Sequence, residues 1–124
     1  MIDGVRTKYS VSHEWERAAT LRDLRAGRLR REDVCDADFL LRAAAEYHGF
    51  DSDRPCPVCS EPLRLTYWIY GDGLGRRAGS ARQPWEIAQI ADELRARGEE
   101  FTVHKVEVCP NCRWNHLLEA ATAY

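Results

Sequence analysis

Apolar residues recur along the chain with two different periods, and each period predicts its own kind of element. From Ser12 onward, Trp15, Ala18, Leu21 and Leu24 fall three apart, a helical stripe. Ser12 can cap it, Glu14 and Glu16 suit its positive end, and Gly27 stops it. A second stripe of Val34, Phe39, Leu40, Ala43, Ala44 and Tyr47 predicts a helix over residues 32–47, ended by Gly49. Only a short turn lies between the two, so they are expected to pack as a helical hairpin within residues 1–50.

After an acidic, proline-terminated stretch at 50–55, read as a linker, the period falls to two. Residues 63–70 place Leu63, Leu65, Tyr67 and Ile69 on one face of a strand and Trp68 and Tyr70 on the other. Residues 101–108 are β-branched and predict a second strand that runs straight into Cys109. Residues 114–118 are too few for periodicity to separate strand from helix. Between the two strands, residues 71–82 read as a flexible basic loop. Pro84 then starts a helix whose Trp85, Ile87, Ala88, Ala91 and Leu94 are expected to face the sheet, with Gly98 at its end. The insertion at 71–99 is expected to fold back on the strands within a second region, 51–124.

The cysteines give these elements a centre. Four of the five form two Cys-Pro-x-Cys tetrapeptides, Cys56-Pro57-Val58-Cys59 and Cys109-Pro110-Asn111-Cys112. Two residues between paired cysteines let one tight turn present both thiolates to the same ion about 2.3 Å away, and two such turns complete a tetrahedral site. A site closed by four thiolates has no position for water or substrate, so the expected metal is one structural zinc ion. Iron held by the same four sulfurs is the rival occupant. Disulfides, or a single dithiol redox pair, leave the duplication of the motif unexplained. Knuckles of this kind often carry glycine after the second cysteine, where φ is positive; here Ser60 and Arg113 stand there. Cys35, flanked by Asp33 and Asp36, is read as a core residue.

The 124 residues suffice for one domain or one with a small appendage, and the net charge of −2 argues against a protein held to nucleic acid by bulk electrostatics alone. No apolar run approaches the roughly 20 residues of a membrane span, and residues 1–12 lack the apolar core of a secretory signal, so a cytoplasmic protein is expected. Charge is uneven, though. One basic cluster, Arg22, Arg25, Arg28, Arg30 and Arg31, spans the end of the first predicted helix, and a second, Arg76, Arg77 and Arg82, lies among the glycines of the loop. With Trp68 and Tyr70 as stacking surfaces, the loop arginines define a candidate interface for DNA or RNA. His104 and His116 are read as surface or hydrogen-bonded residues, because four thiolates already satisfy the ion. Neither a His-Glu-x-x-His helix nor a Ser/His/Asp set can be read from local sequence, which favours a non-enzymatic protein.

The duplicated knuckle with its flanking strands resembles the zinc-ribbon superfamily over residues 56–118. Together with the helices read from periodicity, that likeness leads to an expected α+β fold: an N-terminal helical hairpin followed by a four-cysteine ribbon of antiparallel sheet, with a helical insertion between its strands. Zinc ribbons are frequent binding modules of transcription and translation machinery. The resemblance points to that setting without naming a partner. A closed metal site, mixed surface charge and no catalytic motif lead to an expected protein partner, RNA polymerase foremost, with direct binding of DNA or RNA through the arginine loop as the alternative. Two further stretches, Arg31-Glu32-Asp33-Val34-Cys35-Asp36-Ala37 and Val108-Cys109-Pro110-Asn111-Cys112-Arg113-Trp114-Asn115-His116-Leu117, look like an uncharacterised family of short actinobacterial proteins. That likeness supports zinc and supplies no activity. Residues 21–34 are also similar to a short helical hairpin found at the ends of many bacterial proteins and associated with oligomerisation.

Overall fold

A computed structural model describes residues 1–124. The fold is mixed α+β around one antiparallel sheet. In chain order the strands are β1 (Thr7–Ser12), β2 (Phe50–Pro55), β3 (Pro62–Tyr70), β4 (Ser80–Arg82), β5 (Phe101–Val108) and β6 (Asn115–Ala123). They lie in the order β1-β6-β5-β3-β2, with β4 pairing the far end of the β3 edge that β2 uses. The helices are α1 (Glu14–Arg25), α2 (Arg31–Val34), α3 (Phe39–His48) and α4 (Pro84–Ala96), and a 3-10 turn spans Asp72–Arg77. No helix is long and apolar enough to cross a membrane.

Strand alternation sorts the side chains into two layers. Tyr67 and Ile69 of β3, with Phe101 and Val103 of β5, pack on Ile87, Ile90, Ala91 and Leu94 of α4. Leu63, on the same face of β3, meets Leu21 of α1 and the buried Trp114. On the opposite face, Val106 and Val108 meet Leu41 and Ala45 of α3. Arg64 also points there, donating from Nε to the Ala45 carbonyl at 3.2 Å and from Nη2 to that of Gly49 at 2.9 Å, which ties off the end of the helix. The sheet is thus sandwiched, with α1 and α4 on one side and α3 on the other.

Several expectations change. The second predicted helix is broken at residues 35–38: Asp38 caps α3 by accepting the Leu41 N–H at 2.8 Å, and α2 is a separate single turn. Its apolar face is also rotated from the one predicted. Leu41 and Ala45 meet the sheet, whereas Phe39, Leu40 and Tyr47 are each at least 70% exposed. In α1 and α4 the tryptophans leave the apolar stripe, Trp15 and Trp85 being exposed, and Ile90 joins the core instead. The supposed linker at 50–55 is β2, paired with β3. The supposed flexible loop at 71–82 is the 3-10 turn followed by β4, with Tyr67 opposite Arg82 and Trp68 opposite Ala81. Residues 115–123 resolve as strand β6, which also recruits β1 into the sheet.

Candidate metal centre

Both cysteine tetrapeptides are the turns of β-hairpins. Cys56 and Cys59 link β2 to β3, Cys109 and Cys112 link β5 to β6, and the pairing of Arg64 with Val108 brings the two turns to the same end of the sheet. Their backbones repeat each other. The Ser60 N–H donates to the Cys56 carbonyl at 2.9 Å and the Cys56 N–H to the Glu61 carbonyl at 2.8 Å. In the second turn Arg113 donates to Cys109 at 3.0 Å, and Cys109 to Trp114 at 2.7 Å. Ser60 and Arg113 both adopt positive φ, as the glycine of such a knuckle would.

This repetition converges four sulfurs. Cys56 and Cys112 Sγ are 3.6 Å apart, Cys59 and Cys109 Sγ 3.5 Å, and all four lie within 4.8 Å of one another. A tetrahedron with metal–sulfur bonds of about 2.3 Å has edges of about 3.8 Å, so the cluster is of a size that can hold one metal ion. Amide N–H groups point at the sulfurs: Val58 to Cys56 and Cys112 to Cys109, each at 3.4 Å. The Asn111 side-chain amide crosses from the second turn to Cys59 at 3.4 Å. Such donors stabilise negative sulfur.

The thiols do not share one environment. Burial pushes Cys56 and Cys109 up. Burial acts the same way on Cys59 but is outweighed, chiefly by the Asn111 amide and then the Glu61 backbone, so that its pKa falls to about 6. Cys59 therefore sheds its proton to a metal more readily than Cys56 or Cys109.

Beneath the cluster lies a packed core. Trp114 is fully buried among Leu21, Val34 and Leu63, and donates its indole N–H to Glu107 at 3.0 Å. Glu107 is itself fully buried, paired with Arg17 of α1 and, at 3.3 Å, with Arg54 of β2. Neither the carboxylate nor its cationic partners stood out in the sequence, since β5 reads as an ordinary amphipathic strand and the three residues are far apart along the chain.

The other candidate residues are dispersed. Arg77 is paired with Glu93 at 2.6 Å and Arg82 with Glu86 at 3.3 Å, while Arg76 is exposed. Arg28 bonds Asp23 at 2.8 Å, Arg30 lies between Glu32 and Asp33, and Arg25 is exposed at the end of α1. Trp68 lines a groove of about 550 Å³ with Leu40 and Tyr47 of α3 and with Arg82. Tyr70 lies against His104, their ring centroids 4.8 Å apart. His116 stacks on Trp114, and neither histidine belongs to the sulfur cluster.

Cys35 is partly buried, packed at the edge of the core around Trp114, and its Sγ lies 3.7 Å from that of Cys112. The neighbouring Cys35 first, with Cys112 after it, holds the Arg31 guanidinium above its ordinary pKa.

A family model described as "Family of unknown function (DUF5318)" matches residues 5–123. The chain is 42% identical over 111 residues to the "Uncharacterized protein Rv0049" of Mycobacterium tuberculosis (strain ATCC 25618 / H37Rv), covering 89% of this chain and 78% of the relative. The "Uncharacterized protein Mb0050" of Mycobacterium bovis (strain ATCC BAA-935 / AF2122/97) matches with the same identity and coverage. No solved structure matches. The expectation of an uncharacterised family thus agrees with what the chain is similar to.

Proposed function

The chain belongs to the family of unknown function DUF5318, and we propose that it is a zinc-stabilised, non-enzymatic accessory protein that docks on a larger assembly, with the transcription apparatus as its setting. The observation that carries this reading is the convergence of four cysteine sulfurs within 4.8 Å at the ends of two matched hairpins, the arrangement of a zinc ribbon. Zinc suits the donor set, being the usual occupant of isolated tetrahedral thiolate sites. Four thiolates complete its coordination, so its contribution is to the fold.

That contribution is large on the scale of a small domain. Structural zinc in small peptides binds with about 10–16 kcal/mol, whereas a whole domain is stable by about 5–15 kcal/mol. A protein whose metal serves its shape works through its surface. Phe39, Leu40 and Tyr47 of α3 and the groove beside Trp68 offer exposed apolar and aromatic side chains of the kind that anchor protein interfaces. The loop arginines, by contrast, are largely engaged with carboxylates of α4, which favours a protein partner over nucleic acid.

Affinity purification of the zinc-loaded protein from its native cells tests this. Recovery of RNA polymerase subunits, reduced when Leu40 and Tyr47 are both changed to Ser, is the expected result. Recovery of the bait alone contradicts it.

A further inference from the structure

A fifth sulfur lies beside the four. Cys35 follows the single turn of α2, and its Sγ is 3.7 Å from Cys112 Sγ, a separation like that between Cys112 and Cys56. The chain is fastened there. The Ala37 N–H donates to the Arg113 carbonyl at 3.0 Å and the Asn115 side-chain amide to Asp36 Oδ1 at 2.8 Å, so the segment after Cys35 is bound to the second hairpin turn on either side of Trp114. These bonds accompany the break between α2 and α3. A tetrahedral site filled by Cys56, Cys59, Cys109 and Cys112 has no use for a fifth ligand, and unlike Cys56 and Cys109, Cys35 is reachable from solvent.

We propose that Cys35 and Cys112 form a redox pair: a two-electron oxidant of the hydroperoxide class joins them in a disulfide and thereby removes one ligand from the metal centre. This rests on the four-thiolate zinc reading of that centre. In the first step the Cys35 sulfur attacks a peroxide oxygen, the O–O bond breaks, and with hydrogen peroxide the products are a Cys35 sulfenic acid and one water. In the second, the Cys112 thiolate attacks Cys35 Sγ; the S–S bond forms, the S–O bond breaks, and the departing hydroxide takes a proton to become the second water. Two sulfurs are oxidised by one electron each and the peroxide is reduced by two. Closing from 3.7 Å to a disulfide length near 2.05 Å requires the sulfurs to approach by roughly 1.7 Å. Three thiolates remain, and a centre with three ligands loses its closed shell. A dithiol reductant reverses the change by exchange.

The test uses the full chain, purified reduced and assayed for zinc by elemental analysis. Hydrogen peroxide is then added, zinc release is followed with a chromogenic chelator, and disulfides are mapped by mass spectrometry of non-reduced digests. A Cys35–Cys112 cross-link that accumulates as zinc is released, with release at least about tenfold slower in Cys35→Ser, is the expected result. Equal release rates in the two proteins overturn the proposal, as do cross-links confined to Cys56–Cys59 and Cys109–Cys112. Should Cys35→Ser not fold, the cross-link map of the wild-type chain decides alone. Reduced wild-type protein without zinc would contradict the metal reading, and the same map would still decide whether Cys35 and Cys112 pair.

Discussion

Ser60 and Arg113 occupy the same left-handed region of backbone space, at φ 68° and 74°, each one residue past the second cysteine of its hairpin turn. A side chain pays about 1–2 kcal/mol to stand there, and glycine does not. Both turns accept this because the Ser60 and Arg113 N–H groups must reach back to the carbonyls of Cys56 and Cys109. Replacing Ser60 with Gly is therefore expected to stabilise the zinc-loaded protein by up to about 1 kcal/mol, the gain being reduced by glycine's greater freedom in the unfolded chain. Ser60→Val is expected to destabilise it. Thermal unfolding of the two variants checks the pair of signs.

Glu107 is a buried carboxylate held by Arg17, Arg54 and the Trp114 indole. Glu107→Ala leaves Arg17 and the indole N–H without their acceptor, while Arg54 keeps its two bonds to Glu14 at 3.0 Å, and is expected to cost about 3–5 kcal/mol in chemical denaturation. A loss below 1 kcal/mol would mean that these two donors find other partners.

Gly49 joins α3 to β2 at a point where a Cβ would overlap the carbonyl oxygens of both Ala45 and Leu65. Neither backbone can yield easily, since Ala45 lies within the helix and Leu65 within β3, which is paired on both edges. Gly49→Ala is expected to destabilise the fold by about 2 kcal/mol or more, although its φ is one that alanine adopts freely. Denaturant midpoints of the two proteins measure it.

His104 is held below the ordinary histidine value of 6.5, first by burial and then by the positive charge of His13. The folded state thus favours the neutral ring, and the unfolded chain takes up a proton at higher pH than the folded one does. Stability from this source is fully present above pH 6.5 and is lost as pH falls through the lower, folded pKa. The ring resonances of His104 are expected to titrate with a midpoint below 6.5, and the His104→Asn protein to lose less stability between pH 7.5 and 5.5 than the wild type. A midpoint at or above 6.5 contradicts this.

The parts of the fold legible in the sequence are those whose cause is local. The alternation in residues 63–70 and 101–108 is enforced by a sheet with helices on both faces, and the repeated Cys-Pro-x-Cys turns carry their geometry with them. What stayed hidden depends on distant partners. Residues 32–47 have helical periodicity throughout, but Asp36 and Ala37 bond to the turn around Arg113 and Asn115, and that contact breaks the helix and delivers Cys35 to Cys112. Likewise Trp15 and Trp85 sit on periodic apolar positions yet remain exposed, because periodicity marks a face without saying whether anything covers it.

Metal content and coordination of the purified, reduced protein bear most directly on the four-cysteine centre. Elemental analysis is expected to find one zinc per chain, and X-ray absorption at the zinc edge four sulfurs at about 2.3 Å. Folded protein devoid of zinc, or an equally stable fold after Cys56, Cys59, Cys109 and Cys112 are all changed to Ser, would contradict it.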